Sequence, residues 1–519
     1  MENPFRTKLT QTDKFVITVE LVPTRGLMSK DFGEVAAFTD QAVEYGKIDS
    51  LCFTDNPGGN PRLSPDVLGL DILYRGISPL IHLSCKDYNR NGIESRAFQL
   101  SRIGIQNVLA LTGDYPVDGF RGTAKPSFDL DSVSMIRMLD EMNNGLKIPG
   151  RKPGQFQELE PTDFFIGACV SPFKRLRSES YAQYYKLEKK IANNARFIIT
   201  QVGYDARKFD ELLRYLRLKG IDMPVLGNVY VLHRIVSRLM NANQVPGCVV
   251  TDQLLEYVNR QAQSPDKGKA AFIEFAAKQV AVLRGIGYRG AHIGGFGIGF
   301  EDVRKIIDTS EEIAGDWRSF IKEIAYSQPR EYYHFSRDPE TGLNTDEPNR
   351  ANDWEPEKES MLPYRFMKLV HDRFFEEGAA GFNLARAICR RLDKSPRAAG
   401  LAYRMEKTVK WLMNDCQECG DCSLPELAFL CPESQCAKFL RNGPCGGSLN
   451  GICELEDRPC VWVRVFNRLE REGKLDKMCR PEPIFHDPAL NKTSSWINFY
   501  LGRDHQKIGV VEAKEQQNK

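Results

Sequence analysis

The sequence predicts an α/β protein, a (β/α)8 TIM barrel followed by a small, mainly helical, cysteine-rich domain. Three observations lead there. From Phe15 to about Asp308, short β-rich apolar runs alternate with longer amphipathic segments, the pattern of a parallel sheet covered by helices. Eight such runs fit a closed barrel better than an open sheet. Beyond them the composition changes, and eight of the 14 cysteines crowd into Cys416–Cys460.

In chain order the expected strands are Phe15–Leu21, Ser50–Thr54, Leu80–Cys85, Gln106–Thr112, Phe164–Val170, Arg196–Val202, Met223–Val229 and Arg289–Gly294. Between them, Ser64-Pro65-Asp66 places a capping hydroxyl before a proline at the first helical position, and Tyr181–Asn194 carries apolar residues at helical spacing. The barrel domain is therefore assigned to residues 1–325. Residues 326–362, rich in Pro, Asn and acid, read as a linker or surface excursion. Helical patterns return at Tyr364–Glu377 and Leu401–Asn414 and open a helical, cysteine-rich domain over 363–480, with a C-terminal extension over 481–519.

Length and 42% hydrophobic content allow more than one core. A net charge of +2 without a long basic block gives no sign of a nucleic-acid partner. No stretch reaches the roughly 18 apolar residues of a membrane span, and the N-terminus lacks a signal core, so a cytoplasmic protein is expected. In a reducing compartment a cysteine cluster binds metal more often than it forms disulfides. Cys416, Cys419 and Cys422 form C-x2-C-x2-C, followed by Cys431, Cys436, Cys445, Cys453 and Cys460. Four thiolates per site would make two sites, of zinc or of iron and sulfur. Cys52, Cys85, Cys169, Cys248 and Cys389 read as small buried hydrophobes, and Cys479 is unassigned.

Barrel chemistry sits where strands end, and here the strand ends are polar: Glu20, Thr54, His82, Asp114, Gln201 and His292. The segments VELVP (Val19–Pro23), HLSC (His82–Cys85), NVLALTGDYP (Asn107–Pro116) and FIITQ (Phe197–Gln201) together resemble methylenetetrahydrofolate reductase, a flavin-dependent barrel enzyme of one-carbon metabolism. The cysteine-rich end, with NGPCGG at Asn442–Gly447, is similar to the cysteine-rich domain or subunit accompanying that reductase in some anaerobic bacteria.

The resemblance implies reduction of 5,10-methylenetetrahydrofolate to 5-methyltetrahydrofolate. It makes Glu20 the general acid at N10 of the folate, with burial expected to raise its pKa. It places Asp114 at the pterin and flavin, Gln201 on the pterin, and Thr54 and His82 along the flavin. Lys190 would meet the cofactor's phosphates, although KLEKK also reads as a solvated helix face. Thr112 stands where the family has arginine, and Val170-Ser171-Pro172-Phe173-Lys174 replaces an expected tyrosine-proline-glutamate segment, which leaves FAD and FMN both open. Gly294–Gly299 could cradle a phosphate or be a plain turn.

The resemblance implies NAD(P)H, ferredoxin or a partner electron-transfer flavoprotein as electron source, and two [4Fe-4S] clusters on the eight cysteines, with zinc as the alternative. A homo-oligomer and a larger redox complex are both compatible with it. The competing function is a folate-binding methyltransferase or non-redox partner subunit whose cysteines hold a structural zinc.

Overall fold

In the computed structural model, which describes residues 2–27, 29–152, 154–350 and 360–507, the eight strands follow the alternation of apolar residues closely. They are β1 Val16–Leu21, β2 Ser50–Phe53, β3 Ser78–Ser84, β4 Asn107–Leu111, β5 Phe165–Val170, β6 Phe197–Thr200, β7 Val225–Val231 and β8 Gly290–Gly295. All pair in parallel, each with its neighbours in sequence, and β1 closes the barrel on β8 with Thr18 opposite His292. Helices run between them: α1 Pro4–Gln11 before β1, then α2 Ser29–Tyr45, α3 Pro65–Tyr74, α4 Arg90–Arg102, α5 Ser132–Asn143, α6 Arg177–Ala192, α7 Ala206–Leu218, α8 Arg234–Asn241, α9 Asp252–Gln261, α10 Lys269–Ile286 and, after β8, α11 Phe300–Glu312.

Side chains alternate across a strand, so every second residue enters the barrel. Val16, Leu80, Leu109, Phe165, Phe197 and Leu226 form an apolar floor. Two residues further along β1 comes Thr18, and two further Glu20, so the interior turns polar towards the strand ends. The floor is closed by α1, whose Phe5 meets Phe165 and Phe197 edge-on at 6.0 and 5.6 Å between ring centres. Asn3 caps this helix through Arg6 N and also donates to Asn107 Oδ1 at 2.7 Å.

The chain divides into two bodies. The first is Met1–Trp354 together with Cys445–Glu454; the second is Glu355–Pro444 with Leu455–Lys519. Within the first, the segment read as a linker begins as packed structure. Phe335–Arg337 and Asn344–Pro348 form a hairpin held on α7, where Asp210 Oδ2 accepts from Asn344 N and Nδ2 at 2.9 Å and Glu211 Oε2 accepts from His334 N at 2.7 Å. Buried Tyr332, Tyr333 and Phe335 supply the apolar contact that sparse periodicity concealed. Residues 351–359 lie outside the described ones.

The second body is helical: α12 Leu362–Phe374, α13 Phe382–Asp393, α14 Pro396–Asn414, α15 Pro432–Gln435, α16 Val461–Arg471 and α17 Ser495–Tyr500. Its core joins Phe382 and Cys389 of α13 to Ile497, Phe499 and Tyr500 of α17. Buried Glu406 of α14 accepts from Ser494 Oγ and Ser495 Oγ, both at 2.6 Å. Among the described residues no helix is long and apolar enough to cross a membrane.

Candidate active site

Glu20 stands at the end of β1, its side chain 22% exposed, with Oε2 3.4 Å from His292 Nε2. The other ring nitrogen of His292 lies 2.7 Å from Thr18 Oγ1. Closure of β1 on β8 makes this chain of three, because it sets Thr18 and His292 in register. Burial alone would raise the Glu20 carboxyl, but the His292 hydrogen bond and charge outweigh it and hold the group below its ordinary value. This corrects the expectation of a raised pKa, which counted burial and not the histidine across the barrel seam.

Below Glu20, Cys52 Sγ is 3.0 Å from His82 Nε2. Burial, with the charge of His292 nearby, pushes His82 down to about 4, so it is neutral near pH 7. Thr54, at the end of β2, is buried, and its Oγ1 has no hydrogen-bond partner among the described residues. Ser171 Oγ, just after β5, is in the same condition.

Asp114 is exposed on the loop after β4, and its Oδ2 accepts from Gly58 N at 2.7 Å. Two glycines make that turn: Gly113 has φ +91°, and a Cβ on Gly59 would lie 2.0 Å from Tyr115 O. Gln201 follows β6; its Oε1 accepts from Val202 N at 2.8 Å and lies 3.7 Å from Cys248 Sγ. Burial, then the charges of Asp114 and Glu20, push the Cys248 thiol up to about 12.

Lys190 is not on a solvated face. It is buried and donates to Cys169 O on β5 at 2.6 Å, and burial beside Lys186 lowers it to about 8. Thr112 is buried, with Oγ1 3.3 Å from Ser132 Oγ. At the glycine-rich turn after β8, Asp302 caps α11 by accepting from Gly299 N at 3.0 Å. One backbone N–H of that turn is therefore already satisfied by a carboxylate.

Two residues without a role in the sequence reading organise the rim. Lys174 is buried, and its Nζ donates to Gly446 O at 2.5 Å and Ser448 O at 2.6 Å. Glu179 Oε1 of α6 accepts from Gly451 N at 3.0 Å. Cys445–Glu454 therefore belongs to the barrel body, and Gly446 O and Gln201 Nε2 lie 3.1 and 3.3 Å from the point a Cβ on Gly247 would occupy. Lys174 falls in the stretch where the chain departs from the resembled pattern, a signal that the departure has a structural purpose.

In the second body, burial first, and the charge of Cys422 with it, raise the thiols of Cys416, Cys431 and Cys419, the last to about 12. Buried Lys410 is held well above its ordinary value by Cys422, Glu406 and Cys416 against the cost of burial. Among the described residues, the groups of donors that already converge as for a metal do not include these cysteines.

Two family models match: methylenetetrahydrofolate reductase over residues 7–297, and methylene-tetrahydrofolate reductase C terminal over residues 396–486. Among curated proteins, a probable methylenetetrahydrofolate reductase (NADPH) of Caenorhabditis elegans is 26% identical over 157 residues, covering 30% of this chain and 21% of its own length. Methylenetetrahydrofolate reductase (NADH) 1 of Arabidopsis thaliana is 28% identical over 204 residues, covering 37% of this chain and 31% of its own. The matches thus span a third or less of those relatives. A solved Clostridium thermocellum protein, described as uncharacterized and binding two copies of 5-methyl-5,6,7,8-tetrahydrofolic acid, aligns with TM-score 0.43 at 12% identity, covering 60% of this chain and 99% of that one. With the reductase model matched over more than half of the sequence, a range that includes Glu20, Asp114 and Gln201, the chain belongs to the methylenetetrahydrofolate reductase family.

Proposed function

We propose that the barrel mouth reduces 5,10-methylenetetrahydrofolate to 5-methyltetrahydrofolate. The observation that carries this reading is the Thr18–His292–Glu20 chain, a carboxyl at the end of β1 hydrogen-bonded to a proton-carrying ring. Free Glu20 is a carboxylate, because His292 holds it low. A pterin laid over its exposed side would strip water from the charge and favour the protonated form. Glu20 then gives its proton to N10, the bond from N10 to the methylene carbon breaks, and that carbon becomes an electrophile on N5. A flavin bound in the mouth would supply the hydride that completes the methyl group.

The residues present suit a flavin. Thr54 Oγ1 and Ser171 Oγ are buried hydroxyls without partners among the described residues, and a ring edge rich in donors and acceptors would satisfy both. Neutral His82 adds a hydrogen-bonding nitrogen without a charge. Gln201 has an amide to present to the pterin, and Gly58 N fixes the Asp114 carboxylate on the rim.

The eight cysteines Cys416, Cys419, Cys422, Cys431, Cys436, Cys445, Cys453 and Cys460 are proposed to hold metal, as iron–sulfur clusters in preference to zinc. The donor chemistry of Cys416, Cys419 and Cys431 fits: these half-buried thiols, raised by burial, need a cation to become thiolates. Such clusters would supply one-electron chemistry, which zinc does not. Iron, sulfide, zinc and flavin measured on anaerobically prepared protein test this part. Iron with matching sulfide is expected; zinc with negligible iron would overturn it.

Activity is tested by supplying a reduced low-potential dye, NADH or NADPH with 5,10-methylenetetrahydrofolate under anaerobic conditions and measuring 5-methyltetrahydrofolate. Its absence from flavin-loaded protein with every donor would reject the reductase reading.

A further inference from the structure

We infer that Cys52 is a positioning residue: its thiol donates to His82 Nε2, fixes the ring proton on Nδ1, and so makes His82 a hydrogen-bond donor to the flavin. The role at the flavin rests on the cofactor reading above. The pairing of Cys52 with His82 does not.

Cys52 belongs to the apolar floor, where it is fully buried with Val16 and Leu80. Strand β2 sets it opposite Leu80 of β3, so His82 stands one inward layer higher. Across that step Cys52 Sγ comes within 3.0 Å of His82 Nε2. His292 also brings a ring nitrogen within 4.8 Å of this pair, but it does not compete for the thiol. Its Nδ1 lies against Thr18 Oγ1 and its Nε2 against Glu20 Oε2. Among the described residues, Cys52 makes the only hydrogen bond of the His82 side chain.

Such a pair has three proton arrangements: thiolate with imidazolium, thiol donating to imidazole, or imidazole N–H donating to sulfur. The first is opposed from both sides. Burial, then the charges of Glu20 and Cys169, push the Cys52 thiol well above its ordinary value. Burial and the charge of His292 hold His82 at about 4 against the pull of Glu20 and Asp55. Both partners are therefore neutral. Between neutral partners, the unprotonated ring nitrogen is a good acceptor and sulfur a weak one, so the bond runs from S–H to Nε2. One nitrogen of a neutral imidazole accepts and the other carries the proton, which places the proton on Nδ1.

That Nδ1–H has no partner among the described residues and is left for a ligand at the mouth. A donor beside a flavin favours its electron-rich reduced form, whereas an unprotonated nitrogen in the same place would oppose it. Serine at position 52 would keep a donor under His82; valine would fill the space without one.

The test reads the tautomer by solid-state 15N NMR of histidine-labelled full-length protein before flavin loading, in wild type, Cys52→Ser and Cys52→Val. The His82→Gln variant identifies the His82 signals among the seven histidines. Wild type is expected to show an unprotonated Nε2 and a protonated Nδ1, Cys52→Ser the same pattern, and Cys52→Val its loss. A protonated Nε2 in wild type, or the wild-type pattern kept in Cys52→Val, would overturn the proposal. Should Cys52→Val fail to fold, Cys52→Ala takes its place. After flavin loading, the midpoint potential should be more negative in Cys52→Val than in wild type and restored in Cys52→Ser. Equal potentials in all three would overturn the role at the flavin. Protein that takes up no flavin would overturn the cofactor reading and that role with it, while the tautomer result would stand.

Discussion

Glu20 depends on a histidine seven strands later in sequence and adjacent in space. Glu20→Gln keeps the shape and removes the proton, so turnover should fall by about 10²- to 10⁴-fold while flavin content stays unchanged; steady-state assay and flavin absorbance check both. His292→Gln removes the charge that holds the Glu20 carboxyl down. The carboxyl pKa should rise, the acid form should persist to higher pH, and the alkaline limb of the kcat profile should move upward; an unmoved limb would mean that His292 has no part in proton supply. Glu20 and Gln201 were legible as polar residues closing apolar strands. The Thr18–His292 pairing was not, because register across a barrel seam follows from closure rather than from either segment alone. Lys190 was misleading for a related reason: a run of lysines looks solvated in sequence, whereas α6 packs that face against β5.

At the scale of elements, helix α1 and the hairpin after the barrel were the least visible parts. Phe5 is one aromatic in a short helix, yet it closes the barrel floor. Phe5→Ala should destabilise the protein by about 3–5 kcal/mol, measured by denaturant unfolding. The hairpin region carries buried Glu331, raised to about 7 by burial and by Asp205, against the pull of Lys208. A carboxyl whose folded pKa exceeds its unfolded value favours folding below the unfolded pKa and loses that contribution as pH rises through the folded one. Stability should therefore decline between roughly pH 4.5 and 7, and Glu331→Gln should flatten that decline in melts at the two ends of the window. Lys174 is the tie for Cys445–Glu454. Lys174→Met would leave two carbonyls without their charged donor, and limited proteolysis should cut the segment faster than in wild type.

For the molecule as a whole, the eight-strand count and its order came directly from alternating apolar runs and helical segments. The cysteine spacing was equally plain. What spacing did not disclose is that Cys445–Glu454 leaves its sequence neighbours to join the barrel body, since only the buried partners Lys174 and Glu179 determine that. The central claim, acid-assisted hydride transfer to a folate at the mouth, is tested most directly by anaerobic stopped-flow spectroscopy. Protein with its flavin fully reduced is mixed with 5,10-methylenetetrahydrofolate, in wild type and in Glu20→Gln. The account predicts return of oxidised-flavin absorbance in wild type with one 5-methyltetrahydrofolate formed per flavin, and a rate at least about 10²-fold lower in the variant. Flavin that stays reduced in wild type, or an equal rate in the two proteins, would contradict it.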